Sequence, residues 1–372
     1  MKTKNYEFIT AISMIIGAVI GAGIFGLPYA FVKVGFFAGL GILILSIVMI
    51  IILMLSIVEL TLAVKKEHQV PGLIGHFLGD TGRKLNLTAF AIGVYGATTA
   101  YLTGCSGILS EIFGVEKSIV MLFYFAFIFF LVLKGIRTIA FMQFFSVISI
   151  SFIAVLLFIS HANMINFSNF SLDVNINEFI PSFGVILFAC LGMNIIPEMA
   201  RHVSERKGDM ITIVITAMTI CFAVYAVFSF VFAGTYGTSI KDVATDNLSS
   251  VLFILGSVFA LFSMSNCFLS NGVVFKDSMI QDFDIKSNLV AASIACLPSL
   301  IIVNFLDPSF IDILSFTGIY TASIQGILIL SATIKAREKS RIRIIPFGNY
   351  PLYFLTVIFV FLMTFKTIEM LI

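Results

Sequence analysis

Polar and apolar positions in this chain are segregated into long blocks instead of alternating. Cutting the sequence at every Asp, Glu, Lys and Arg leaves eleven uncharged runs of 16 residues or more. They are 8–32, 34–58, 85–110, 118–133, 138–172, 179–197, 210–240, 247–275, 287–306, 313–334 and 344–365. A helix that crosses a bilayer needs roughly 20 apolar residues, so the runs predict eleven spans in an all-α polytopic membrane protein. A β-barrel is excluded, because its strands would alternate in segments of about ten. Between the second and third runs, Leu73, Ile74, Phe77 and Leu78 share a helical face and predict a short interfacial helix.

Composition narrows the class. The chain has 372 residues, 59% hydrophobic and 11% charged, against about 25% charged in soluble domains. Soluble enzymes and secreted disulfide scaffolds are excluded. A net charge of +2 gives no reason to expect a nucleic-acid partner. Cys105, Cys190, Cys221, Cys267 and Cys296 all lie inside uncharged runs and read as buried small hydrophobes. The first run is too long for a signal-peptide core and lacks a small-residue cleavage site, so no cleavable signal is expected.

Charge also orients the chain. With the N-terminus placed inside, 18 Lys and Arg fall in the inner segments and 4 in the outer ones. The positive-inside rule then puts the N-terminus in the cytoplasm and the C-terminus outside. The expected organisation is one domain, 1–372, in the plasma membrane, bathed by lipid and acting as a monomer.

Two spans carry breaks. The first reads Gly17-Ala18-Val19-Ile20-Gly21-Ala22-Gly23-Ile24-Phe25-Gly26-Leu27-Pro28. Glycine costs roughly 1 kcal/mol per helix position relative to Ala and proline about 3. The sixth reads Ala189-Cys190-Leu191-Gly192-Met193-Asn194-Ile195-Ile196-Pro197-Glu198, and repeats the spacing Gly-x-x-x-x-Pro. Irregular backbone inside a bilayer is tolerated where it faces protein or a wet cavity. Spans one and six correspond if the chain is two inverted halves of five helices, and paired breaks in such halves point to a transporter site. The halves would be about 6–160 and 177–334, with an extra helix at about 346–371.

The run Gly21-Ala22-Gly23-Ile24-Phe25-Gly26-Leu27-Pro28-Tyr29-Ala30 resembles the first-helix signature of amino-acid permeases. Together with Gly192-Met193-Asn194-Ile195-Ile196-Pro197-Glu198 it is most similar to the amino acid/auxin permease family, including bacterial aromatic and hydroxy amino-acid permeases. The resemblance implies a five-plus-five inverted repeat of the leucine-transporter type. Asn194 stands where many relatives carry an acidic or small residue.

An amino acid entering the membrane needs partners for two charges. Free N–H groups at a half-helix N-terminus suit a carboxylate, which assigns it to the backbone of Ala22, Gly23, Ile24, Phe25 and Gly26. Carbonyls near Gly21, Ala189, Cys190 and Gly192 would hold the amine. From the third span, the resemblance points to Tyr101 or Thr98 as a contact to the carboxylate; the alternative for Thr98 is a bond to its own helix. Phe25, Phe188, Met193 and Asn194 are candidates to shape the pocket.

The coupling ion is expected to be sodium or a proton, with no other cofactor. In sodium-coupled relatives the eighth helix and first-helix carbonyls hold the ion, which implicates Gly21, Ser263, Ser265 and Asn266, oxygen donors suited to a hard cation. No Lys, Asp or Glu lies in 138–160 to act as a proton carrier there. Glu198, within reach of Arg201 and His202, and Glu59 are candidates for gating. The expected function is uptake of a neutral, apolar or aromatic amino acid by alternating access. The second reading is a transporter or channel for another solute or cation on the same fold. An enzyme is not expected, since His68, His76, His161 and His202 all lie in or beside loops.

Overall fold

The computed structural model describes residues 2–64, 66–135, 159–160, 162–203, 207–248, 250–306, 309–340 and 342–371. The described residues form helices and short 3-10 turns, with no strand among them. In chain order the helices are α1 (Lys2–Val19), α2 (Gly23–Val34), α3 (Phe36–Ala63), α4 (Val70–Phe113), α5 (Lys117–Lys134) and α6 (Phe179–Cys190). Then follow α7 (Ile196–His202), α8 (Lys207–Tyr236), α9 (Ser250–Phe283), α10 (Asn288–Leu306), α11 (Phe310–Lys339) and α12 (Tyr350–Leu371).

Eight helical stretches among the described residues are long and apolar enough to cross a membrane, and the pair α1–α2, bent by 56°, supplies a ninth. The sixth predicted span is among the eight as Ile176–His202. The third predicted span occupies α4 beyond a kink at Gly79, whose φ of +77° is open to glycine and strained for other residues. The fifth predicted span, 138–160, lies outside the described residues apart from its last two.

Before the kink, α4 includes the short helix expected from Leu73 and Ile74, but those side chains are buried in protein and not laid on a lipid surface. The cause is Gly72, whose N–H donates to Asp282 Oδ2 at 3.0 Å. A Cβ on Gly72 would sit 2.1 Å from that carboxylate.

Burial sorts the helices. Most residues of α2 and α6 are buried, as befits elements enclosed by others. In contrast, α12 buries one stripe, Leu352, Leu355, Phe359 and Leu362, at helical spacing. Most of the remaining large apolar residues of α12, such as Phe354 and Val357, are exposed, as a lipid-facing surface requires.

Backbones cross closely where side chains vanish. A Cβ on Gly318 of α11 would lie 2.0 Å from Gly184 O of α6, and one on Gly184 would lie 2.4 Å from Ser315 O. Likewise Gly93 and Gly96 of α4 leave room for Thr321 and Thr317 of α11.

One polar cluster ties α3 to the turn between α11 and α12. Arg337 donates to Glu59 through Nε (2.8 Å) and Nη2 (2.7 Å). The same carboxylate accepts Ile344 N–H at 2.5 Å and Ile345 N–H at 2.9 Å, while Arg337 also donates to Gly348 O and Asn349 Oδ1.

Candidate functional site

Each broken helix exposes backbone groups that a continuous helix would satisfy. Helix α1 stops at Val19 and α2 starts at Gly23, so Ala22, Gly23 and Ile24 stand at a helix N-terminus with no preceding carbonyls for their N–H groups. In the sixth span, α6 ends at Cys190. The backbone is then extended at Leu191 (φ −66°, ψ 138°), and a 3-10 turn over Met193–Ile195 leads into α7.

Side chains from two other helices meet the freed carbonyls. From α9, Ser263 Oγ donates to Ile20 O at 2.8 Å, Asn266 Nδ2 donates to Gly17 O at 2.9 Å, and Cys267 Sγ lies 3.2 Å from the same oxygen. From α8, the Tyr225 hydroxyl lies 2.9 Å from Val19 O and 2.6 Å from Ala189 O, joining the ends of α1 and α6. Ser263, Asn266, Cys267 and Ser270 recur at i, i+3, i+4 and i+7, which is one face of α9.

The breaks border a cavity of about 50 Å³ between α4, α9 and α11. That volume holds a few water molecules. Of the residues expected from sequence, Gly21, Gly23, Tyr101, Phe188, Gly192 and Asn194 line it. Phe90, Ser270, Asn271 and Thr321 line it as well. Asn194 Nδ2 donates to Gln325 Oε1 of α11 at 3.2 Å, and Gln325 is fully buried.

Other expected contacts fall elsewhere. Phe25 packs edge-on against Phe259, with ring centroids 5.3 Å apart, and Gly26 faces Leu314 and Val185. Ala22, Ile24, Cys190 and Met193 are buried and do not line the cavity. Ala189 contributes through its carbonyl, which is held by Tyr225. Thr98 donates to Val94 O at 2.6 Å, within its own helix. Gly23 presents its missing Cβ to Ala189, where an added carbon would sit 2.5 Å from Cα, so its smallness serves contact between the two broken helices. Ser265 is a correction. Two residues along a helix turn the side chain by about 200°, so Ser265 points away from Ser263 and pairs with Tyr124 of α5 at 2.9 Å.

The two acids also separate. Glu198 accepts from Gln69 Nε2 at 3.0 Å and Arg201 Nη1 at 3.1 Å. Arg201 in turn donates to Gln281 of α9 at 2.6 Å and lies 3.5 Å from Glu67. This network links α7, the segment before α4 and the end of α9. Glu59 belongs to the anchor with Arg337 and shares no hydrogen-bond partner with that network.

Sequence reasoning missed Tyr225 and Gln325. A mid-span tyrosine in an apolar helix was the available signal, because a buried phenol usually finds a partner. Gln325 is the single amide in the uncharged run 313–334, and an amide there has the same need.

Residues 4–366 match the profile of the tryptophan/tyrosine permease family. No curated protein sequence matches significantly. Among solved structures, the chain is similar to the manganese transporter of Eremococcus coleocola in complex with an aromatic bis-isothiourea substituted compound. That pair has a TM-score of 0.72 at 11% identity, covering 95% of this chain and 85% of the other. Two point variants of the same transporter give a TM-score of 0.69 at 12% identity with the same coverage.

Proposed function

This chain belongs to the tryptophan/tyrosine permease family, and from that premise we propose that it carries an aromatic amino acid across the cell membrane by alternating access. The observation that carries the reading is the cavity bounded by both breaks, with a helix N-terminus and two helix C-termini at its edge. N–H groups at Ala22–Ile24 suit the carboxylate, and carbonyls at Val19 and Ala189 suit the ammonium. Phe90, Val94 and Phe188 offer apolar walls to a ring, and Asn194 and Asn271 offer polar ends to an indole N–H or phenol hydroxyl. At about 50 Å³ the cavity is too small for an aromatic amino acid, so in this reading it widens to admit substrate.

The five-plus-five inverted arrangement is part of the proposal, supported by breaks at corresponding positions. So is a driving gradient of sodium or protons. Ile20 O, Gly17 O and the Ser263 hydroxyl form an oxygen set that a hard cation can use. The donors that meet those carbonyls from Ser263 and Asn266 also satisfy them with no cation. The Glu198–Gln69–Arg201 network is the gate on the cytoplasmic side.

Uptake of labelled tryptophan, tyrosine and phenylalanine into proteoliposomes, under imposed sodium or proton gradients, tests the reading. Accumulation above equilibrium of at least one aromatic amino acid is expected. Failure with all three, under either gradient, overturns it.

A further inference from the structure

Every freed carbonyl at the end of α1 from Gly17 to Ile20 meets a side-chain donor, but one donor differs from the rest. Ser263 and Asn266 meet carbonyls of the first broken span alone, and Cys267 meets that span and Tyr101 of α4. Tyr225 is fully buried and touches the terminal carbonyls of both broken helices, Val19 O at 2.9 Å and Ala189 O at 2.6 Å. A phenol carries one proton. Two acceptors therefore share one donor, and both acceptors sit at the negative end of a helix.

Without a bridge these two oxygens would repel each other and part. With it, they are fixed about one hydroxyl oxygen, each with acceptor capacity left over. The adjoining residues Val19 and Phe188 line the cavity. A cationic donor placed there finds two carbonyls already aligned, with no cost of bringing two helix ends together.

We infer that Tyr225 is the positioning residue of an amine subsite: its hydroxyl holds the end carbonyls of the two half-helices as a preformed acceptor pair for the substrate's α-ammonium. The inference rests on the amino-acid transport reading. It assigns a role to a helix that carries no break.

The test compares two ligands on the full-length protein in lipid nanodiscs. L-tryptophan carries ring, carboxylate and amine; indole-3-propionate keeps the first two and lacks the amine. The chain has no tryptophan of its own, so emission from either indole ligand reports its binding directly. Charge-assisted hydrogen bonds predict that wild type prefers L-tryptophan by about 100-fold. In Tyr225→Phe the preference is expected to fall to about tenfold or less, through weaker binding of L-tryptophan with the amine-free ligand unchanged. A general packing defect would weaken both ligands together and leave the ratio intact. An unchanged or enlarged ratio overturns the assignment. Tyr225→His provides a second variant should the first not fold. Its imidazole reaches less far than a phenol and cannot span both carbonyls, so the same loss is expected and a wild-type ratio overturns the assignment. If wild type binds neither ligand, the transport reading and this assignment fall together. If wild type discriminates and Tyr225→Phe does so equally, the Tyr225 role alone falls.

Discussion

Glu59 and Glu198 are both nearly fully buried, at 2% and 3% exposure, and each is bound by an arginine. Their settings differ. Glu59 receives a two-pronged guanidinium and two backbone N–H groups, all from Arg337 and the turn after it. Glu198 receives one arginine contact and one amide, and its arginine is divided among Glu198, Gln281 and Glu67. The first carboxylate has every partner it can use and fastens a turn to a helix. The second is one node in a chain of single contacts between separate elements. A buried acid in a membrane helix is therefore not a functional group by virtue of burial; the division of its partners decides whether it can let go.

Breaking the saturated pair gives the largest expected effect. Glu59→Ala leaves Arg337 buried and uncompensated, a loss of about 3–5 kcal/mol. Thermal unfolding in detergent or nanodiscs should show a steep fall in stability, with any residual uptake proportional to the folded protein left. A variant of normal stability with abolished uptake would restore Glu59 to the gate.

Glu198→Gln is expected to change stability by less, about 1 kcal/mol, because Arg201 retains Gln281 and Glu67 and an amide at position 198 can still accept from Gln69. Its effect should be on access. Cys267, buried against Gly17 O, should react faster with a membrane-permeant maleimide in the variant than in wild type. Equal labelling rates would show that this network is not a gate.

The smallest effect sharpens the contrast on α9. Ser263→Ala should raise the concentration of driving ion needed for half-maximal uptake several-fold, while Ser265→Ala, which loses a contact to Tyr124, should leave it near wild type. Equal responses would remove the difference between the two faces of that helix.

Much of this was legible because lipid allows few solutions. Long uncharged runs become helices since backbone groups in hydrocarbon must bond internally, and glycine with proline marks where they stop. The positions of both breaks followed from local sequence alone. What did not follow depends on rotation and on distant partners. Ser263 and Ser265 look alike in sequence, and only their partners, Ile20 O and Tyr124, show which one faces the break. Arg337 is far from Glu59 along the chain, and nothing in either neighbourhood names the other. A second role of Gly23, contact with Ala189, was hidden for the same reason. Its flexibility is a local property, whereas the proximity of Ala189 is created by the fold.

The glycine crossing of α6 and α11 bears on leverage. A pivot needs slack, and none exists where Gly318 meets Gly184 O: a single added carbon would lie 2.0 Å from that oxygen. The two helices therefore behave as one beam. The same beam is notched against α4 through Gly93 and Gly96. In the proposed transport cycle, bending is expected where that packing ends, at Leu191 and Gly192, which stand outside the α-helices. The short helix α7 follows that hinge, with Glu198 in its first turn and Arg201 in its last.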